Sequence, residues 1–254
     1  IKNRVFMNFR FYLLYAVLFF IGLSSCTKND STTLIPMGDE SYFRDIEEIA
    51  PPNVISFINN DLRGYVNNAQ VITMGGWYPA KVEGDFRIDP CEYVYSTIDL
   101  AGVSSAFYNI NLKDQHNGVV SFEMEFDSLF HIVDEWGQEF DRHVISSYSS
   151  DTVYIRGDGE NITMYGLCDV YFSNTMYFGE YVQSLTARFS SLIVIVGRIT
   201  EIGIENIHVF EYVDDIISYS PDAYQAYFDN YRNSMKVFKS SGDGIALKIN
   251  VNGE

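Results

Sequence analysis

From Val82 onward the chain is a succession of short runs rich in Tyr, Phe, Val, Ile and Thr, each cut off by Gly, Asn or Asp. That rhythm is the signature of antiparallel strands joined by tight turns. It predicts strands near Val82–Ile88, Ser105–Leu112, Val119–Phe126, His143–Tyr148, Thr152–Arg156, Ile162–Phe172, Tyr177–Arg188, Ser191–Ile199 and Ile204–Tyr212. In Phe122-Glu123-Met124-Glu125-Phe126 the alternation is strict, so the apolar residues should point inward and both glutamates to water. Leu192-Ile193-Val194-Ile195-Val196 is apolar at every position and predicts a central strand covered on both faces. Asn117-Gly118 and Gly157-Asp158-Gly159 supply the positive φ that tight hairpins need.

Helical patterns occur only near the ends. Asp39–Ile49 places Phe43, Ile46 and Ile49 at helical spacing before Pro51-Pro52, and Asn53–Leu62 suggests a second short helix. A late helix is expected over Pro221–Tyr231, packing Tyr224, Tyr227 and Phe228 onto the sheet. Strands following one another without intervening helices exclude βαβ units. The expected class is therefore all-β, an antiparallel meander forming a barrel or a two-layer sandwich. Periodicity does not choose between the two, because both alternate inward apolar with outward polar residues.

The first 26 residues read differently. Arg10 precedes 13 almost wholly apolar residues, Phe11–Leu23, too few for the roughly 20 that cross a bilayer as a helix but right for the core of an export signal. Leu23-Ser24-Ser25-Cys26 resembles a bacterial lipobox, which implies diacylglycerol on the Cys26 thiol and cleavage before it. Several acyl chains on one cysteine, at about 0.8 kcal/mol per buried methylene, anchor a protein without a transmembrane segment. The expected organisation is a signal peptide over residues 1–25, a lipidated tether over 26–38, and a single β-rich domain over 39–254. Met7 is the natural start on this reading, with Ile1–Phe6 lying upstream of it.

The formal charge is −17, and removing the three cations before Cys26 takes it to −20. Such a balance argues against nucleic acid and against electrostatic attachment to anionic lipid, both of which reward clustered Lys and Arg. Cys91 and Cys168 lie 77 residues apart. They can bridge in an oxidising compartment or stay as buried thiols within apolar strands, the commoner fate. Without a Cys-x-x-Cys pair, neither redox chemistry nor a structural zinc has sequence support.

No pattern points to catalysis. His116, His131, His143 and His208 lack metal-ligand spacing, and glycine-rich phosphate loops and Gly-x-Ser-x-Gly are missing. Asp134, Glu135 and Glu139 around Trp136 make the densest acidic-aromatic cluster, but glycoside hydrolysis needs two carboxylates set across a cleft. Asp158, Glu160 and Asp243 sit in glycine turns that already account for them. No cofactor is implied. Aromatic residues make up 16% of the chain, enough for some to serve recognition, and Trp77, Tyr78 and Trp136 beside glycines are the candidates for stacking on a glycan or peptide ligand.

Several phrases together resemble a family of uncharacterised Bacteroidales lipoproteins. These are Cys26 with its tether, Pro79-Ala80-Lys81-Val82-Glu83-Gly84-Asp85-Phe86, Val153–Gly159 followed by Ile162-Thr163, Ile199–Asn206, and Ser241-Gly242-Asp243-Gly244. The resemblance implies an outer-membrane location, periplasmic or surface-facing, and an all-β domain, and it carries no catalytic residues. The expected function is a membrane-anchored exported lipoprotein acting as a non-catalytic binding module. The alternatives are a structural or adhesive envelope component and, behind it, a glycoside hydrolase-like enzyme.

Overall fold

The computed structural model describes residues 52–56, 77–98, 103–133, 137–220, 225–241 and 245–249. All of them fall within one compact unit, Glu40–Glu254. Strands dominate: β1 (Trp77–Pro79), β2 (Gly84–Ile88), β3 (Cys91–Ser96), β4 (Val103–His116), β5 (Val119–Val133), β6 (Glu139–Gly159), β7 (Asn161–Phe178), β8 (Tyr181–Ile199), β9 (Gly203–Ser220), β10 (Met235–Ser240) and β11 (Ile245–Ile249). Among the described residues two short helices accompany them, α1 (Pro52–Ile55) and α2 (Gln225–Asp229). The all-β expectation holds.

Strands β4 to β10 form a continuous antiparallel meander, extended through β2 and β11 at one end and β3 at the other. β9 closes it into a ring. One edge of β9 pairs with β8, while its other edge is shared, with Gly203–Glu205 taking β11 and His208–Tyr212 taking β10. β11 pairs onward to β2 and β2 to β4, which completes the circuit. β10 pairs onward to β3, but no ladder among the described residues joins β3 to β4. The ring is thus hydrogen-bonded all round at the β11 level and carries a seam at the β3 level.

The predicted hairpins form as the turn residues require. Asn117 and Gly118 both have positive φ between β4 and β5, and Gly159 does between β6 and β7. At Gly157 a Cβ would stand 1.9 Å from the Asn161 carbonyl oxygen, so only glycine lets the two arms approach so closely. The expected pair of strands His143–Tyr148 and Thr152–Arg156 is one long strand, β6, with a register slip between Ser149 and Tyr154. Tyr177–Arg188, expected as one strand, straddles the β7–β8 turn at Gly179-Glu180, and Ser191–Ile199 continues β8. Strands β1, β3, β10 and β11 lie outside the strands expected from sequence. The Asp39–Ile49 helix lies outside the described residues, as do most of Asn53–Leu62 and Pro221–Tyr224.

Two apolar clusters hold the sheet. Phe122, Met124 and Phe126 point into the ring while Glu123 and Glu125 are exposed, as the alternation of β5 dictates. Leu192–Val196 is covered twice: Ile193 and Ile195 join the interior, whereas Leu192, Val194 and Val196 pack outside with Val54, Phe210 and Val237. This outer layer is why β8 carries no polar alternation there. No helix among the described residues is long and apolar enough to cross a membrane.

Candidate functional site

The interior is chemically divided along its length. Around β11 the inward side chains are all apolar, mainly aliphatic (Ile88, Leu112, Val120, Ile155, Ile162 and Ile204) with Phe86 and Phe122 among them. Toward the seam, charged and phenolic side chains gather inside instead.

Glu211 and Lys236 face each other in register across β9 and β10, with side chains only 2% and 6% exposed. Lys236 Nζ donates to Glu211 Oε2 at 3.1 Å, and Tyr148 Oη donates to the same oxygen at 2.9 Å. Strand parity places them there. Phe210 and Tyr212 are committed to the outer cluster, so the residue between them must turn inward together with Val209 and Val213. The same logic acts on Lys236, between the outward Met235 and Val237. Taking such a pair out of water is expensive, and its attraction compensates only when each charge is well hydrogen-bonded.

Phenols surround this pair. Tyr108 is fully buried, its ring 4.8 Å from that of Phe126 and 4.9 Å from that of Phe238, and its hydroxyl has no hydrogen-bond partner. Burial, followed by the nearby Tyr148 and Glu211, pushes the Tyr108 hydroxyl well above the usual phenol range. Tyr93, on the seam strand β3, is raised too, mainly by burial. These groups are neutral donors and acceptors, not bases.

A second polar knot involves the segment between β9 and β10, which enters the ring as an aromatic plug. Phe228 is wholly buried against Tyr219, Phe172 and Phe189, and the Tyr231 ring stacks on Phe189 at 5.6 Å. Beside it, Arg142 Nε donates to Asn174 Oδ1 at 3.0 Å and Nη2 donates to Tyr227 Oη at 3.1 Å. The Arg142 guanidinium also lies 5.2 Å from the centre of the Phe130 ring. Asn174 Nδ2 donates to the Tyr227 hydroxyl, which in turn meets Tyr231 Oη at 3.0 Å. No carboxylate among the described residues pairs with Arg142.

Several of the residues singled out from sequence fall outside the described ones. Cys26 and Trp136 are outside the described residues, as are Asp134, Glu135 and Asp243. Trp77 and Tyr78 belong to β1, whose backbone pairs in parallel with Gly157 and Asp158 of β6, extending the sheet where β5 has ended. Ala80 N donates to the Gly159 carbonyl at 2.7 Å, fastening this segment to the β6–β7 hairpin. Asp158 and Glu160 are exposed on that hairpin.

Cys91 and Cys168 are free, buried thiols, and burial pushes the Cys91 thiol up to about 12. Among the described residues no three metal-ligating side chains converge. Outside the ring, a shallow hollow of about 350 Å³ opens at the β6 register slip, lined by Ser149, Ser150, Asp151, Leu167, Asp169 and Ser190.

Of the histidines, His131 and His143 each meet an aspartate across the β5–β6 ladder, His131 Nδ1 with Asp141 at 3.0 Å and His143 Nε2 with Asp127 at 2.7 Å. The hydrogen bond to Asp141 raises the His131 pKa above 6.5. A raised folded-state value means that any stabilisation is complete below the unfolded pKa and fades as pH rises through the folded one. An NMR titration should therefore place the His131 midpoint above 6.5, and Asp141→Asn should bring it back down; an unchanged midpoint in the variant would refute the pairing.

Glu211, Lys236 and Arg142 were missed from sequence, although one signal was present. A lone acid inside Val209-Phe210-Glu211-Tyr212-Val213 and a lone lysine in Met235-Lys236-Val237-Phe238 break otherwise apolar strands. With the chain's fold and interior described, comparison with known proteins adds no relative: no family model, curated protein or solved structure matches it.

Proposed function

We propose that this chain is an exported lipoprotein, held on the outer membrane through acyl chains on Cys26, and that its β-ring is a non-catalytic binding module working from the polar half of the interior. The observation that carries the binding reading is the set of hydrogen-bonded charges and phenols inside the ring around Glu211, Lys236 and Arg142. An apolar filling of similar volume often stabilises a core as well or better, so this chemistry fits recognition more readily than packing. Glu211 is the one buried carboxylate among the described residues, and both its recorded partners are donors. That arrangement favours holding a ligand over the two-carboxylate chemistry of glycoside hydrolysis.

The anchoring half of the proposal rests on Arg10–Cys26 and is tested separately. Mass spectrometry of the protein purified from membranes should find the mature chain beginning at Cys26 with acyl groups attached. An unmodified Cys26 preceded by an intact Phe11–Leu23 segment would overturn it. Cys26→Ala should release the protein from the membrane fraction.

A further inference from the structure

The outer wall of the ring offers open space of a different chemistry from the charges inside. Between Ser149 and Tyr154, β6 carries one residue more than either neighbour. Four of its residues span the interval that β7 covers with three, and Asp151 and Thr152 stand where β5 has Ser121 alone. Such a bulge bends its strand and re-aims the side chains on it. Here, in the middle of a strand paired on both sides, it opens the hollow of about 350 Å³ over Leu167. Beside the bulge the outer face is built in rows. Cys168 and Val170 point into the ring, so Asp169 and Tyr171 point out. Asp169 stands in register between Ser149 on β6 and Ser190 on β8, and Tyr171 between Ser147 and Arg188. Cross-strand neighbours lie about 4.5–5.5 Å apart, so the first row is a carboxylate flanked by two hydroxyls.

Most of these groups are uncommitted. Among the described residues, the side chains of Ser149, Asp151, Ser190 and Tyr171 have no hydrogen-bond, ion-pair or ring partner. Asp169 meets Arg188 at 3.7 Å, and both side chains stay more than half exposed. The hollow thus presents hydroxyls, which donate and accept, beside carboxylates, which only accept. Leu167 lays an apolar floor at the margin of the outer cluster, and the Tyr171 ring stands 49% exposed two residues along the same strand. A sugar fits this combination, since its hydroxyls donate to carboxylates and trade hydrogen bonds with serines while its C–H face lies on an aromatic ring. Two carboxylates against one guanidinium, on a chain of net charge −17, repel an anion. The volume suits a single sugar ring.

We propose that the outer wall at the β6 bulge binds a neutral sugar, its hydroxyls on Asp151, Asp169, Ser149 and Ser190 and one ring face on Tyr171. The test uses the full chain with the methyl glycosides of glucose, galactose and mannose. The corresponding methyl uronides, in which a carboxylate replaces the hydroxymethyl group, are the anionic counterparts. NMR titration in EDTA should give a Kd of about 10 mM or tighter for at least one neutral glycoside, with the backbone signals of Ser149, Ser150, Asp151 and Asp169 shifting. Its uronide should bind about threefold weaker or worse, because it brings a like charge to the carboxylates.

Tyr171→Ala should weaken that glycoside about tenfold and Asp169→Asn about threefold or more. Both positions are exposed, so the unliganded variants should keep the unfolding temperature of the parent. Tyr148→Phe, which alters only the interior, should bind like the parent. Silence from all three neutral glycosides would overturn the proposal and leave the interior reading standing. Uronides that bind as tightly as their neutral partners would refute the neutral assignment. Binding that needs added Ca²⁺ and disappears in EDTA would replace the direct sugar contact with a cation held by Asp151 and Asp169. Full affinity in both outer variants, with loss in Tyr148→Phe, would defeat the placement and put the sugar inside the ring.

Discussion

Lys236→Met is expected to destabilise the protein by about 3–5 kcal/mol, because it leaves the Glu211 carboxylate buried without its cation. Both side chains are almost fully enclosed, so water cannot replace the lost partner. Tyr148 alone remains as a donor to the same oxygen. The companion variant Glu211→Gln with Lys236→Met removes both charges and should recover much of the loss, since neutral groups of similar size are far cheaper to bury. Urea unfolding of the two proteins measures the difference directly. A single variant within about 1 kcal/mol of the parent would show that the pair is solvated in solution and is not a sealed contact.

Phe228→Ala should cost about 3–5 kcal/mol, the range for emptying a buried aromatic site that collapses only partly. Phe228 is the centre of the plug, packed at once on Phe172, Phe189 and Tyr219, which come from three different strands. Loosening it also releases Tyr227, next to it in α2, and with it the hydrogen bonds to Arg142 and Asn174. Gln225→Ala, at an exposed position of the same helix, is the control and should stay within about 0.5 kcal/mol. Should both variants melt alike, the segment lies on the rim and does not fill the ring.

These two residues show unequal legibility. Phe228 stood in a recognisable aromatic helix, and the expectation that it packs onto the sheet holds, but sequence carried no sign that it would enter a closed ring. Lys236 lay in a strand that was not anticipated at all. Met235–Ser240 and Ile245–Ile249 are short, and their partners His208–Tyr212 and Gly203–Glu205 are 23 to 44 residues away. Local alternation reports which face of a strand is wet; it holds no information about which distant edge the strand will join. For the same reason the aromatic residues favoured as binding candidates, Trp77, Tyr78 and Trp136, were chosen by composition, while the polar interior depends on strand parity and pairing.

Sequence by itself determined the class and the local grammar of this protein: alternating β5, doubly apolar Leu192–Val196, and hairpins at Asn117-Gly118 and Gly157-Asp158-Gly159. Those features arise within a few residues, from φ preferences and from the period of two that puts side chains on opposite faces. Tertiary structure alone decided that β9 shares one edge between β10 and β11, that a seam remains beside β3, that Glu211 and Lys236 pair inside, and that Arg142 joins Asn174 and Tyr227. Each of these outcomes follows from pairing between distant segments, where burial of the outer Phe210 and Tyr212 of β9 and Met235 and Val237 of β10 outweighs the cost of turning their charged neighbours inward.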